Sequence, residues 1–548
     1  MPIAIASRGF RGLYAARFTR VASAAVARPI VAQTQRLPRL AMSTKSGVSS
    51  PLVQHTAWQR LCVSDLDRLY PLLTAYIQQP SLAESVTELV MDFSSSDYSW
   101  PNDYPPDEPR EPSLGVAGDL VRKHVCSLGL GDRETKAMLH VLRLWTNRPE
   151  IPPKGQPGDL PSEPDYLRDE FAGLAAVVLL SLCKNISTLH MAQPLSGFNP
   201  MLEDYLLKTN YGLLQAPGLQ NLKKVEVLPG WWWNLETTYG HLEFLRLFQY
   251  FHRLPAINAI SIDSFQEYQS YYTSFIPRTG NMKTLKLEHV DMDDFLLGLL
   301  ISIPKVLVNL KVSLGGKEHM DGGVPTIHPQ SIGRALAQHK ETVAALDLDL
   351  DLCVLESTCK GKVLDSTDGT DDGDSDIEEF GRDYYKMDQE TRLLVQKTPI
   401  ALESYGWTIG SLHDFTSLTH LSIGIYALLG PPNSLGERLA RLPPFRLIDA
   451  LPPNLESFCL YGYKKGENID VDEHVNEFLI NKEARFPSLK EVKGIEEEVP
   501  GVAQLFPEES YLERMSARLK GEEEETSNQW PTPEFPDEWK PVEQSSLR

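Results

Sequence analysis

Apolar positions along the chain fall repeatedly into one short arrangement: an apolar residue, two unlike residues, an apolar residue, one residue, and a last apolar residue. "NMKTLKLEH" from Asn281 and "VLVNLKVSL" from Val306 both carry it. Ten copies align. They begin at Ser85, Asn185, Asn221, Ala256, Asn281, Val306, Thr342, Ser417, Asn454 and Ser488, and in the last Gly494 replaces the final apolar residue. The central apolar residues Leu189, Val225, Ile260, Leu285, Leu310 and Leu346 follow one another in steps of 36, 35, 25, 25 and 36 residues. Alternation at the end of the phrase predicts a short strand with one apolar face, and the first apolar residue anchors the turn that leads into it. One such strand cannot bury that face alone. Stacked in parallel, each strand covers the next, and the segment between them returns as a helix.

The intervening segments agree with this. "HLEFLRLFQYFHRL" from His241 and "ETKAMLHVLRLW" from Glu134 carry apolar residues at helical spacing, including Leu242, Leu245, Phe248 and Phe251. "FAGLAAVVLLSLC" (Phe171–Cys183) is apolar throughout but shorter than the roughly 20 residues a bilayer requires. "FLLGLLISIPKVLVNLKV" is long enough but contains Pro304, Lys305 and Asn309. Both read as buried helix or strand, and no membrane span is expected.

Steps of this size match the strand-plus-helix unit of leucine-rich repeats, and the irregular series resembles the leucine-rich-repeat proteins of filamentous fungi, many of which carry an F-box ahead of the repeats. "LDRLYPLLTAYIQQPSLAESVTELVMDF" (Leu66–Phe93) is similar to the segment that leads into such repeats: a helix, a Pro, then a strand. The resemblance spans about Trp58 to Glu498. It implies an α/β, leucine-rich-repeat-like solenoid with parallel strands on the concave side and helices outside. No F-box helix triplet stands upstream. The expected organisation is a basic segment at 1–50, a helical segment at 51–84, repeats over 85–498, and an acidic Pro-rich tail at 499–548. Loops interrupt the repeats at 94–113, 147–166 and 364–383.

Composition narrows the function. The 548 residues are 42% hydrophobic and 23% charged, as in a globular protein with a large core, and the net charge is −21. That balance, without a run of Lys and Arg in the repeats, argues against a general nucleic-acid role. Cys62, Cys126, Cys183, Cys353, Cys359 and Cys459 form no CxxC pair, so a reducing compartment is the simplest reading. The first fifty residues reverse the charge. They contain seven arginines (Arg8, Arg11, Arg17, Arg20, Arg28, Arg36, Arg39) and Lys45, with no Asp or Glu. Arg-rich, Ser-rich and acid-free is the composition of a mitochondrial presequence. A disordered basic tail, or an upstream extension before a start at Met42, in a cytoplasmic or nuclear protein is the alternative.

Candidate chemistry is sparse. The chain contains no nucleophile elbow, HExxH, phosphate loop or dinucleotide fingerprint, and its thirteen histidines show no metal spacing. "GGKEHMDGG" (Gly315–Gly323) lacks the phosphate-loop order and reads as a turn. The acidic run "LDSTDGTDDGDSDIEEFGRD" (Leu364–Asp383) does not follow the order of a calcium loop and reads as a solvated loop in which Ser375 could accept a phosphate. No cofactor or metal is expected, and no catalytic residue is nominated. "WWW" (Trp231–Trp233) reads as core or as an exposed rim patch, and Trp530, Phe535 and Trp539 as motif anchors or a cover for the last strand.

What remains is a surface. If the strands stack, the residues between the buried ones line the concave face: His190, Glu226, Leu228, Asp263, Lys286, Glu288, Lys311, Asp347, Asp349 and Tyr461, with Val90, Asp92, Ser261, Ser313, Ser422 and Cys459. Carboxylates outnumber lysines there, which predicts a basic or mixed-charge protein partner. The expected function is a non-enzymatic interaction scaffold or adaptor. A ubiquitin-ligase substrate receptor without its F-box is the second reading, and an unrecognised enzyme in a large α/β domain the third.

Overall fold

The computed structural model describes residues 58–62, 66–92, 116–147, 165–191, 199–227, 239–267, 275–315, 327–354 and 407–501, with 352 and 434 excepted. Outside the described residues lie the first fifty residues, the stretches 94–113 and 148–164, the acidic run 364–383 with Ser375, Leu228, Trp231–Trp233, and the tail with Trp530, Phe535 and Trp539.

The chain opens with β1 (Trp58–Cys62), α1 (Leu66–Gln78), α2 (Pro80–Glu84) and β2 (Glu88–Asp92). Three helices follow, α3 (Val116–Ser127), α4 (Asp132–Thr146) and α5 (Asp165–Leu182), and then β3 (Thr188–Met191), α6 (Pro200–Asn210) and β4 (Lys224–Val227). The middle holds β5 (Gly240–Leu242), α7 (Phe244–Phe251), β6 (Ala259–Asp263), β7 (Phe265–Glu267), β8 (Thr284–Val290), α8 (Asp294–Ser302), β9 (Asn309–Leu314), α9 (Pro329–Ala337) and β10 (Ala345–Asp349). The last part is β11 (His420–Gly424), α10 (Ile425–Leu429), α11 (Leu447–Ala450), β12 (Ser457–Tyr461), α12 (Ile469–Arg485) and β13 (Glu491–Lys493). Eleven strands form one parallel sheet in the order β1-β2-β3-β4-β6-β8-β9-β10-β11-β12-β13, and β5 pairs with β7 beside it. The sheet is open, with β1 and β13 at its edges.

Register follows the repeated phrase. Leu89, Leu189, Val225, Ile260, Leu285, Leu310, Leu346, Leu421, Phe458 and Val492 are successive partners across the sheet. From Leu89 to Phe458 each is at most 2% exposed. Their strand-mates two residues on, such as Met191, Val227, Leu287 and Leu348, are buried with them beneath the helices. Full burial of one such side chain contributes about 1.5–3 kcal/mol, so the ladder is the main source of cohesion between neighbouring units. The leading apolar residue of each copy is buried too, as at Ile186, Leu222, Ile257, Met282, Leu307 and Leu418.

The first residue of the phrase has a separate task. The Nδ2 groups of Asn185, Asn221, Asn281 and Asn454 donate to Glu84 O, Lys184 O, Arg253 O and Thr416 O at 2.7, 3.0, 2.9 and 3.0 Å. Thr342 Oγ1 and Ser417 Oγ donate in the same way to Leu307 O and Glu341 O, each at 2.7 Å. A carbonyl at the end of one helix-to-strand turn thereby finds its donor in the next turn. Backbone bonds continue the series: Lys223 N to Ser187 O, Asn258 N to Lys223 O, Lys283 N to Asn258 O and Val308 N to Lys283 O, all at 2.8 Å.

Three local features depart from the pattern read in the sequence. The segment expected to be helical at 51–84 includes the edge strand β1, paired to β2 from Trp58↔Glu88 to Cys62↔Asp92. Leu242, expected in a helix, ends β5, because Gly240–Leu242 pairs with Phe265–Glu267 before α7 begins. In β8 a bulge between Leu287 and Val290 inserts an extra residue, with His289 at φ 47°. The two apolar stretches weighed as membrane spans are α5, buried over Phe171–Leu180, and α8 with β9. No helix among the described residues is long and apolar enough to cross a membrane.

Candidate binding face

The side chains that alternate with the buried ladder lie on the opposite face of the sheet. Register sets His190, Glu226, Ser261, Lys286, Lys311, Asp347, Ser422 and Cys459 side by side on consecutive strands, with Val90 before them. A second row, two residues further along, holds Asp263 beside Glu288, Ser313 beside Asp349, and Tyr461 beside Gly424. Asp92 is the last residue of β2.

At one end, His190 is inserted between two carboxylates. Its Nε2 is 2.7 Å from Glu88 Oε1 and its Nδ1 is 2.8 Å from Glu226 Oε2. Glu226 also meets Lys224, two residues away on the same face. Burial opposes its charge, but the bonds from His190 and Lys224 prevail and hold the carboxyl down to about 2.

In the middle the charges form a chain. Glu288 sits between Lys286 and Lys311, with Lys311 Nζ 2.7 Å from Glu288 Oε1. The same Nζ lies 3.9 Å from Asp347 Oδ2, and Asp347 Oδ1 accepts from Tyr461 Oη at 2.9 Å. Burial raises the pKa of Asp347 despite Lys311 and Tyr461. Burial disfavours the charge on Lys311, yet its carboxylate neighbours raise its pKa. Burial and the adjacent Asp347 carboxylate push the Tyr461 phenol upward. Beside this chain the bulge turns His289 onto the open face, with Nδ1 2.9 Å from Asp263 Oδ1 and its backbone N–H bonded to Ser313 Oγ.

The expected surplus of carboxylates is present in number, but its field differs from the expectation. Glu288 and Asp347 are 16% and 31% exposed in their side chains, whereas the Lys286 and Lys311 side chains beside them are 44% and 43% exposed. Alternate signs are engaged with one another, so the face is a mosaic rather than an acidic field. Asp349 is nearly buried, close to where a Cβ on Gly501 would project, so the chain crosses this corner of the sheet after Val499 bridges to Tyr461. Cys459 is buried and its thiol is raised to about 11, which makes it unreactive.

Three members were missed from the sequence. Glu88 and Lys224 stand at the first strand positions, two residues ahead of the alternating residues assigned to the face. His289 falls on the buried parity of β8 and reaches the open face through the bulge, which leaves no composition signal. Among the described residues no three His, Cys, Asp or Glu side chains are placed to hold a metal ion. Comparisons with protein-family models, curated proteins and solved structures find no match.

Proposed function

We propose that the chain is a leucine-rich-repeat-like solenoid whose open strand face receives a protein partner without performing chemistry on it. The supporting observation is the row itself: six successive strands contribute Glu226, Ser261, Lys286, Lys311, Asp347 and Ser422 at the same register, each partly exposed, on the face opposite the buried ladder. Such a row recognises a surface with charges of both signs, because each lysine and carboxylate already has a neighbour it can exchange for a partner group. The resemblance to fungal leucine-rich-repeat proteins points the same way, toward an adaptor.

The test is photo-crosslinking in native cells with the reactive group placed at Ser261 or Ser422, and at Lys136 on an outer helix as control. Adducts specific to the two face positions identify the partner. Lys311→Glu and Asp347→Lys should then weaken that partner's affinity by at least about tenfold. Adducts equally frequent from the outer helix, or an affinity that neither substitution moves, refute the reading.

A further inference from the structure

The edge of the sheet where the strands begin differs in charge from the rest of the molecule. Five turns, those leading into β3, β4, β8, β9 and β10, carry at least one exposed cation, and the turn into β6 between them carries the half-buried Arg253, although in the sequence these cations are spread over more than 150 residues. Lys184, Lys223, Lys283, Lys305, Lys340 and Arg278 are all exposed. Within segments 183–187, 211–223, 252–258, 275–283, 303–308 and 338–344 the single carboxylate is Glu341, in a chain of net charge −21. None of these six cations has an ion-pair partner among the described residues, in contrast to Lys224, Lys286 and Lys311 on the open face. Arg278 bonds only to the carbonyls of Gln338 and Lys305, and the Lys305 amine to Asn281 Oδ1. At the spacing of parallel strands the five steps from the first turn to the last cover about 24 Å.

Apolar side chains project from the same turns. Leu213 and Ile276 are 71% and 67% exposed, and Tyr211 and Val306 are also exposed. The Arg253 guanidinium lies 5.1 Å from the Tyr211 ring centroid, a cation set on an aromatic at the same edge. Favourable placement of cations near helix C-termini explains part of the row. It does not explain Lys223 and Lys283, which directly precede strands, or the exposed Leu213 and Ile276.

We propose that this edge is a peripheral docking site for an anionic lipid surface, with the row of cations set on the headgroups and Leu213 and Ile276 inserted between them. A row of turns along one edge, presenting cations and single apolar tips, suits a plane better than a peptide. A bilayer surface takes both features at once, through electrostatic attraction and shallow apolar burial. Membrane attachment at the edge leaves the open face free, so this inference stands apart from the partner reading.

The experiment is flotation of the full chain with phosphatidylcholine vesicles, with and without phosphatidylserine, over a range of salt. The parent is compared with Lys223→Glu/Lys283→Glu/Lys340→Glu and with Leu213→Ser/Ile276→Ser, all carrying the same basic N-terminal segment. Circular dichroism checks that each remains folded. The parent should bind the phosphatidylserine vesicles and release with salt. Charge reversal should lower its partition at least about a hundredfold, at about fivefold per lysine lost. The apolar variant should bind more weakly with an unchanged salt slope. Equal binding to both vesicle types, or a reversal variant that binds like the parent, overturns the proposal. Capture of polyglutamate or RNA through the same lysines without vesicle binding overturns it in favour of a soluble polyanion.

Discussion

Asp351 provides the sharpest test of the physical reasoning about the fold. It lies just past β10, is buried, and reaches across to the next unit, where Oδ2 accepts from Tyr426 N at 3.0 Å and Oδ1 from Ala427 N at 2.9 Å. Those amides open α10. The approach requires Gly424, since a Cβ there would stand 2.2 Å from Asp351 Oδ1. Two influences compete at this carboxyl. Burial disfavours its charge, whereas amides at the start of a helix favour it. Burial is the larger, and the pKa rises from 3.8 to about 7.

The folded protein therefore holds a proton on Asp351 that the unfolded chain releases above pH 4. The contribution of Asp351 to stability falls as pH rises from about 4 to about 7, by up to about 1.4 kcal/mol per pH unit, and changes no further above that window. The whole change amounts to about 4 kcal/mol, an upper bound because relaxation and water entry soften burial. Asp351→Asn keeps the size and cannot titrate, but it offers one acceptor oxygen where Asp351 uses two, so its amide NH2 faces one of the two backbone N–H groups. Urea unfolding followed by tryptophan fluorescence at pH 4 to 8 should show the variant less stable than the parent at pH 4, by about 1–3 kcal/mol for the lost acceptor, and gaining steadily on the parent toward pH 7. A difference that is flat with pH refutes the dominance of burial. A parent that gains on the variant as pH rises shows that the helix amides win.

Two further substitutions probe how neighbouring units are joined. Leu285→Ala removes a fully buried member of the ladder and should cost about 2–5 kcal/mol in chemical unfolding, against less than about 0.5 kcal/mol for a substitution at exposed Lys283. Asn281→Ala leaves the Arg253 and Leu254 carbonyls without their side-chain donor and should cost about 1–2 kcal/mol, with faster amide exchange confined to the turns before β6 and β8.

The sequence made the ladder legible because one requirement acts at every copy: an apolar residue must meet its predecessor at the same height, and a shift of one residue would expose it. Leu189, Val225, Ile260, Leu285, Leu310 and Leu346 could thus be aligned on spacing alone, as could the open-face positions His190, Glu226, Lys286 and Lys311. The asparagines that begin four copies were visible as letters, but their work is done against a carbonyl 28 to 101 residues away in the chain. Neither β5 nor the bulge in β8 was legible. Gly240–Leu242 is too short to show a period, and the bulge changes the parity of one residue, His289, without changing composition. Which ions on the open face neutralise which was equally hidden, because the partners Lys311 and Glu288, or Asp347 and Tyr461, meet only through the register of adjacent strands.

Parallel stacking treats charges on the open face and at the beginning edge in opposite ways. On the face, register sets Lys286 beside Lys311 and Asp263 beside Glu288, but Glu288 reaches both lysines and Asp347 lies beside Lys311, so each like-charge pair has an opposite charge next to it. Each exposed pair is worth little by itself, but no repulsion accumulates. At the edge, successive turns bring cations of one sign to the same side of the sheet. Two unit charges at the strand spacing repel by about 0.9 kcal/mol in bulk water, and salt reduces the effect. A carboxylate in any of these turns would relieve such repulsion, yet only Glu341 is present. Folding gains nothing from the row beyond its favourable placement near helix ends. An anionic plane would turn each of these repulsions into an attraction, which ties the edge rather than the mosaic face to an extended anionic surface.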